Sequence, residues 1–323
     1  MQIMAGAYES PVQSLCRVVQ PGALSTVQDQ GRWGFQSIGL GPGGVLDRCA
    51  SAQANWLLGN DPRAAVLEMT LLGATLEFLS DCWAALTGAD MGAKLNGQPA
   101  PRYRAFPVRQ GDVLQLGFVT EGCRSYLAVW GGVAVPVVYG SRSTNLKCAL
   151  GGFQGRALKA GDQLSAYVMA ETEPRAAGRE LAIPQFPKDF TLRFIPGPQE
   201  DYFSKEARET FVSSVYQVSA QSDRMGCRLE GAALSPSDPE RGMDIVSDGI
   251  ALGGIQVSNQ GQPIVLLADR QTTGGYAKIG TVLSCDLPKL AQALPGATVH
   301  FAEVSVEAGQ AAYRDWLANM FKQ

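Results

Sequence analysis

The chain has 323 residues, with 27 basic and 30 acidic side chains and a formal net charge of −3 at pH 7. This balance excludes the basic surface typical of nucleic-acid-binding proteins, so we expect no nucleic acid among its partners. The length suffices for about two domains, each with its own core. The 37 glycines and 18 prolines make up about 17% of the chain, against about 12% in average proteins, which indicates a β-rich fold with many tight turns.

The number and spacing of the cysteine and histidine residues indicate the cellular compartment and argue against some kinds of catalysis. Seven cysteines are dispersed without a C-x-x-C pair, which predicts free thiols in a reducing compartment and no zinc site. The N-terminus has no secretory signal and no apolar run has membrane-spanning length, so we expect a soluble cytoplasmic protein without membrane contact. The single histidine, His300, argues against Ser-His-Asp hydrolysis and multi-histidine metal centres. We therefore expect no metal.

The first half of the chain predicts many strands and one helix. Residues 1–14 have no pattern of a regular element and are interpreted as a leader. The segment DRCASAQANWLLGN predicts a helix that begins at Asp47 and ends before Gly59. Short apolar runs separated by turn residues continue to about residue 165, a spacing typical of a β-sandwich or barrel.

The composition then changes, and a charged, proline-punctuated stretch without periodicity indicates a linker. A second set of strands follows this stretch. The predicted organisation is a leader, a first β unit, a linker and a second β unit with a C-terminal helix: 1–14, 15–170, 171–190 and 191–323.

The second unit also contains three predicted helices. QEDYFSKEARETF predicts a short helix, and DLPKLAQAL predicts a helix with Asp286 as its N-cap. The segment AAYRDWLANMFKQ places Ala312, Trp316 and Met320 at a four-residue spacing. This spacing is typical of an amphipathic helix that docks on a core.

The segment DRQTTGGYAK joins two apolar runs of strand length and carries more polar groups than a turn needs. In one interpretation its successive N–H groups form a concave anion site, and Arg270 and Lys278 supply positive charge. Tyr276 would cover that site or donate a proton. The alternative is a long β loop in which Asp269 pairs with Arg270. The donor groups in question belong to Thr272, Thr273, Gly274 and Gly275.

Two further clusters are candidates. TVQDQGRWG combines Gln28, Asp29 and Arg32 beside flexible glycines, a set that could hold a small polar ligand. The alternative is an Asp29–Arg32 pair that fixes the loop. QSDRMGCRLEG contributes Arg224, for which structural ion pairing is the alternative. The chain contains no G-x-x-x-x-G-K-[ST] sequence, so it has no P-loop for ATP.

In this order, several segments resemble one family, variously described as the 5-oxoprolinase C subunit, allophanate hydrolase subunit 2-like, urea amidolyase-related or biotin-dependent carboxyltransferase-like proteins. The resemblance runs from about residue 16 to residue 304. Its most specific stretches are PGALSTVQDQGRWG, DRCASAQANWLLGN, LAVWGGVAVPVVYGSRST, SDRMGCRLEG and GQPIVLLADRQTTGGYAKIGTVLSCDLPKLAQALPGATVHF.

The resemblance implies a mainly β fold of two tandem cyclophilin-like β-barrel units with a few short helices. It further implies that the chain acts in a complex with two partner proteins, the B-like and A-like subunits of the same enzyme. Their complex would use ATP to open the 5-oxoproline lactam to L-glutamate, with the ATP site not identifiable in this chain.

The same resemblance leaves two alternatives. One is the carboxyltransferase component of a biotin-dependent, urea carboxylase-like enzyme. In that case another protein would deliver biotin, because the chain lacks an A-M-K-M motif. The other is a non-catalytic regulatory partner of a B-like, kinase-inhibitor-like protein.

We expect the DRQTTGGYAK and TVQDQGRWG segments to line one substrate pocket. In that pocket Asp269 would orient Arg270. The predicted catalytic residues are Asp29, Asp269, Lys278 and Tyr276. The predicted substrate-binding residues are Gln28, Arg32, Arg224, Arg270, Thr272, Thr273, Gly274 and Gly275.

Overall fold

The computed structural model describes residues 11–322, which are mostly β with four α-helices in this part of the chain. The strands before the predicted linker are β1 (Val12–Gln20), β2 (Leu24–Gln28), β3 (Val66–Thr70), β4 (Thr75–Phe78), β5 (Cys82–Asp90), β6 (Lys94–Leu95), β7 (Gln98–Pro99), β8 (Ala105–Val108), β9 (Val113–Gln115), β10 (Glu121–Val129), β11 (Val133–Ala134) and β12 (Gln163–Tyr167). The later strands are β13 (Asp189–Pro196), β14 (Tyr216–Val218), β15 (Gly226–Glu230), β16 (Asp244–Gly249), β17 (Gly254–Val257), β18 (Pro263–Leu266), β19 (Thr273–Tyr276), β20 (Lys278–Val282) and β21 (Thr298–Glu303). The helices are α1 (Arg48–Leu58), α2 (Lys205–Ser213), α3 (Leu287–Ala291) and α4 (Val306–Asn319).

The first unit contains two sheets. One has the order β11-β12-β1-β4-β9-β6-β7 and the other the order β2-β3-β10-β5-β8. Leu15 and Leu76 of the first sheet share a core with Leu86 and Leu127 of the second. The outer face of the second sheet packs against α1, where Leu57 is fully buried. Because both faces of this sheet are covered, β5 and β10 are apolar along most of their length.

The second unit is a closed barrel with the strand order β13-β20-β17-β18-β15-β14-β21. Aromatic side chains fill it: the ring centroids of Phe211 and Phe301 are 4.3 Å apart, and Phe194 packs edge-on against Phe211 at 5.2 Å. Strands β16 and β19 form a separate two-stranded ribbon beside the barrel. The expectation of a mainly β chain with few short helices is therefore confirmed.

The helix predictions are confirmed in position, with one correction. Asp47 caps α1 by accepting the Ala50 N–H at 2.9 Å, and Gly59 ends the helix at φ 69°. Asp286 precedes α3 as expected, but its side chain makes no cap bond. It accepts the backbone N–H and the guanidinium of Arg193 instead. A charged partner from β13 outcompetes the local cap because charge-assisted hydrogen bonds are stronger.

The predicted boundaries coincide with a gap between strands. Strand β12 ends at Tyr167 and β13 begins at Asp189, and the Leu181 N–H between them donates to the carbonyl of Tyr103 at 2.9 Å. Strand β1 begins within the predicted leader, of which residues 1–10 lie outside the described part. We retain the four-part division as a proposal.

Helix α4 touches both units. Its predicted inner face is confirmed, because Ala312, Trp316 and Met320 are partly buried while residues 313–315 and 317–319 between them are exposed. The Met320 carbonyl accepts a hydrogen bond from Gln53 of α1 at 2.8 Å. None of the helices in residues 11–322 is both long and apolar enough to cross a membrane.

Candidate functional site

A buried ion cluster lies where the two units meet. Arg224 of the second unit binds Glu68 of β3, and its Nε lies 2.8 Å from Asp269 Oδ2. Tyr126 donates to Glu68 at 2.9 Å. Burial alone would lower the pKa of Arg224, but Glu68 and Asp269 outweigh burial and raise it. We call Arg224, Glu68, Asp269 and Tyr126 the Arg224 cluster. It favours ion pairing across the two units for Arg224 over contact with a ligand.

Asp29 holds a neighbouring loop in place. Its Oδ1 accepts hydrogen bonds from Gly31 N–H at 2.8 Å, from the Ser141 hydroxyl at 2.6 Å and from the Ser143 hydroxyl at 2.5 Å. Its Oδ2 accepts the Arg142 N–H at 2.5 Å. Gln28, which is fully buried, donates to the backbone of the same loop. These contacts support a positioning role for Asp29, and its predicted catalytic role stays a prediction.

Arg32 connects this loop to the Arg224 cluster. It is 1% exposed and donates to the carbonyl of Ser143, while its Nε and Nη1 have no partner within residues 11–322. A Cβ built on Gly43 would lie 3.3 Å from Arg32 Nη1 and 3.6 Å from Asp269 Oδ1. Burial lowers the pKa of Arg32, and Asp29 and Asp269 oppose that shift. Asp269 therefore faces two arginines at the junction of the units.

The Thr-Thr-Gly-Gly segment does not form the predicted concave anion site. Residues Thr273–Tyr276 are a strand, β19, and Thr272 accepts the N–H of Ile250 through its carbonyl at 3.1 Å. Paired strand amides do not converge on one point as they do in a turn-based anion site. The prediction of successive free amide donors is wrong for this reason.

The same segment lines a cleft on the second unit. Gly274, Gly275 and Tyr276 border a cavity of ≈ 500 Å³ together with Gln256 and Arg228. A Cβ on Gly274 would approach the Gln256 amide nitrogen to 2.7 Å. A larger residue at this position would therefore require the Gln256 side chain to move. Tyr276 is 37% exposed at the cleft edge, which agrees with a side chain that contacts a ligand.

The two cationic side chains of this segment, Lys278 and Arg270, lie in different surroundings. Lys278 Nζ lies 3.3 Å from Asp248 Oδ2. Arg270 is buried, and its Nε donates to the carbonyl of Ile250 at 3.2 Å. Asp269 binds Arg224 and not Arg270, so the expected orienting contact between Asp269 and Arg270 is corrected. The predicted residues thus occupy three neighbouring places: the junction of the units, the ribbon cleft and the surroundings of Arg270.

Sequence reasoning missed several residues of this region. Glu68 carried a signal, because a lone carboxylate stands within the apolar run AVLEMT of a buried strand. Gln292 carried no such signal in the sequence. Its side chain donates to Asp47 at 2.8 Å and accepts the N–H groups of Cys123 and Arg124, each at 3.0 Å. It thereby ties the barrel to the first unit.

Comparison with known families assigns this β fold to the carboxyltransferase-type domain proteins. A family model described as "Carboxyltransferase domain, subdomain A and B" matches residues 38–303. The 5-oxoprolinase C subunit of Escherichia coli is 40% identical over 301 residues, covering 93% of this chain and 95% of that protein. The Haemophilus influenzae protein of the same name is 35% identical, covering 88% and 89%. The chain belongs to this carboxyltransferase-domain family, which includes the C subunit of 5-oxoprolinase.

Longer proteins contain a similar region. Urea amidolyase of Saccharomyces cerevisiae is 32% identical over 91% of this chain, which spans 17% of that protein. The crystal structure of the K. lactis urea amidolyase matches with a TM-score of 0.88 and 30% identity over 99% of this chain, which spans 20% of that chain. The solved structure of TTHA0988 matches with a TM-score of 0.81 and 36% identity over 91% of this chain, which spans 57% of that chain.

Proposed function

We propose that this chain is one component of an ATP-dependent 5-oxoprolinase, which opens the lactam of 5-oxoproline to L-glutamate. The observation that carries the proposal is the similarity to the C subunit of 5-oxoprolinase over 95% of the length of the Escherichia coli protein, at 40% identity. The urea amidolyases match at 32% and 33% identity. The partners in this proposal are the A-like and B-like subunits of the same complex.

The reaction requires activation of an unreactive amide. In the proposed scheme, ATP transfers its γ-phosphoryl group to the lactam oxygen and leaves as ADP, which makes the ring carbon electrophilic. Water adds to that carbon, and the C–N bond breaks as the ring nitrogen takes a proton. A second water then hydrolyses the resulting acyl phosphate to glutamate and phosphate. Because the chain has no P-loop sequence, we assign no ATP contact to its residues. Their part in the proposal is to bind and orient the substrate through its carboxylate and its amide.

The described residues offer groups suited to that part. In the ribbon cleft, Gln256 and Arg228 lie beside Gly274 and Tyr276, so an amide and a guanidinium face one cavity. A carboxamide side chain pairs with a lactam through one donor and one acceptor. Asp29, Asp269 and Lys278 remain proposed catalytic residues of the assembled site, and Arg32 remains a proposed binding residue. The ion pairs of Arg224 with Glu68 and Asp269 favour a structural role over its predicted binding role.

Reconstitution tests the proposal. The chain is purified with the products of neighbouring genes, and ATP-dependent release of glutamate from 5-oxoproline is measured with and without it. We expect release only from the complete mixture. Equal release when this chain is omitted would refute its role in the complex. The chain alone is expected to be inactive, which the same assay measures.

A second candidate is the carboxyltransferase component of a biotin-dependent enzyme. The observation that favours it is the TM-score of 0.88 to the K. lactis urea carboxylase over 98% of this chain. The discriminating assay supplies a carboxylated biotin carrier and urea and measures loss of the carboxyl group from biotin. Transfer that depends on this chain, together with no glutamate release, would favour the carboxyltransferase over the 5-oxoprolinase.

A further inference from the structure

The first unit has a polar cavity of ≈ 530 Å³ that shares no lining residue with the ribbon cleft of the second unit. Its walls include Asp29, which follows β2, Arg142 of the loop after β11, and Tyr167, the last residue of β12. Gly131 and Gly132, which join β10 to β11, line it as well. The fold thus brings segments that are distant in sequence to one cavity.

Three of these residues are joined by direct hydrogen bonds. The Arg142 backbone N–H donates to Asp29 Oδ2 at 2.5 Å, and Arg142 Nη2 donates to the Tyr167 hydroxyl at 2.9 Å. The Arg142 Cζ lies 5.3 Å from the centroid of the Tyr167 ring. The arginine is therefore held at its backbone and at its guanidinium, so a ligand that binds it loses little additional side-chain freedom.

Arg142 and Tyr167 retain hydrogen-bond donors for a ligand. Within residues 11–322, Arg142 Nη1 has no acceptor, and the Tyr167 hydroxyl accepts the bond from Arg142 but donates none. Gly140 also lines the cavity, and a Cβ built there would meet nothing within 4 Å, so the cavity is open at this wall. The end of a guanidinium presents two parallel N–H groups, which match the two oxygens of a carboxylate.

Asp29 brings a negative charge to the same cavity. It is 6% exposed, and its Oδ2 accepts one hydrogen bond, from the Arg142 N–H. Because a carboxylate oxygen has two acceptor positions, this atom can accept a further donor. In the part of the chain that the structure describes, neither Asp29 nor Arg142 forms an ion pair, whereas Arg63 and Asp61 of the same cavity pair with each other at 3.3 Å. One positive and one negative group are thus left for a ligand.

We propose that this cavity binds a small α-amino acid, with its carboxylate on Arg142 and Tyr167 and its ammonium group on Asp29. An α-amino acid carries both charges on neighbouring atoms, so it compensates both residues at once. Phosphate carries no cation and would be repelled by the carboxylates of Asp29 and Asp61. The existence of the site is independent of the proposed function, whereas naming the product L-glutamate as the amino acid rests on it.

Isothermal titration calorimetry on the full chain tests the site, with L-alanine, propionate, L-glutamate and inorganic phosphate as separate probes. L-Alanine and propionate differ only in the α-ammonium group. We expect saturable binding of L-alanine. Propionate should bind about 10- to 100-fold more weakly, the effect of one charge-assisted hydrogen bond.

Two variants test the carboxylate end of the site. Arg142→Gln should weaken L-alanine binding about 10- to 100-fold, because it removes the guanidinium and keeps the backbone N–H that binds Asp29. Tyr167→Phe, which removes only the hydroxyl, should weaken it about 10-fold. Arg175→Gln is the matched control, because that arginine is 91% exposed and pairs with Glu171 at the surface. Circular dichroism confirms that each variant is folded.

L-Alanine binding that both variants weaken and the control retains supports the site. Absence of saturable L-alanine binding, or binding unchanged in folded Arg142→Gln or Tyr167→Phe protein, overturns it. Propionate or phosphate that binds as tightly as L-alanine overturns the assignment to an amino acid. If reconstitution yields no glutamate while L-alanine binding persists, the proposed function fails and the site stands. If the complex is active but L-glutamate binds no more tightly than L-alanine, the link to that product is overturned.

Discussion

Arg224 and Arg270 are both buried, at 6% and 3% exposure. Arg224 faces two carboxylates and the Gly44 carbonyl, so its charge is compensated within the chain. Arg270 faces two carbonyls and a second cation. The comparison shows that burial of a charged residue does not by itself distinguish structure from function. The sign of the surrounding charges does, because only an uncompensated charge gains from a ligand.

We expect the largest effect on stability from replacing Arg224, the arginine whose charge is compensated by carboxylates. Arg224→Met should lower the free energy of unfolding by about 3–5 kcal/mol, because it leaves Glu68 buried without a cation and removes one of the two arginines that Asp269 faces. Urea denaturation followed by circular dichroism measures this. Arg17→Met serves as control, since its ion pair with Glu77 is largely exposed and contributes about 1 kcal/mol or less. Equal midpoints for the two variants would show that the Arg224 cluster does not stabilise the junction.

Asp29 is a second buried group whose charge is compensated within the chain, because residues of this chain donate all of its hydrogen bonds. Asp29→Asn should cost about 1.5–3 kcal/mol, because the amide group would face donors that need an acceptor. The same denaturation experiment measures the loss. Asp112→Asn, a replacement in an exposed turn, is the matched control. Should Asp29→Asn instead be stable and abolish turnover in the reconstituted complex, the predicted catalytic role of Asp29 would be supported over positioning.

Arg270→Met tests the other arginine of the comparison, which has no carboxylate partner. We expect the free energy of unfolding to stay unchanged or to rise by about 1 kcal/mol, since apolar replacement of a buried charged group is often neutral or stabilising. Ligand binding or turnover should nevertheless fall. A lower melting temperature with normal activity of the complex would instead assign Arg270 to the structure.

The smallest expected effect is a pH dependence that separates the two arginines. The pKa of Arg270 is lowered to about 10 in the folded state, so the folded chain releases this proton before the unfolded chain does. Stability contributed through Arg270 therefore rises with pH above about 10. Between pH 9 and 10.5 the wild type should gain on the order of 1 kcal/mol relative to Arg270→Met. A difference that does not change over this interval would contradict the lowered pKa.

Prediction from the sequence succeeded where the signal was local. The N-cap and the C-terminal glycine of α1 belong to one helix, and each was found at its predicted place. The polar segments of the site were also recognisable, because hydroxyls, glycines and charges stood between apolar strands. The hydrogen-bond and ion-pair partners of these segments were not recognisable from the sequence. Asp269 was expected to bind its neighbour Arg270, yet a residue 45 positions away binds it.

What the sequence determined by itself is the β-rich class, the capped helices and the set of polar loops, since each depends on residues a few positions apart. Only the tertiary structure decided which charges meet. Glu68 and Arg224 are 156 positions apart, and their contact follows from strand order in the first unit and from the docking of the barrel. Ribbon pairing likewise turned the Thr-Thr-Gly-Gly segment into a strand. Local propensity cannot specify such pairings, because their energy comes from desolvation and charge compensation between distant segments.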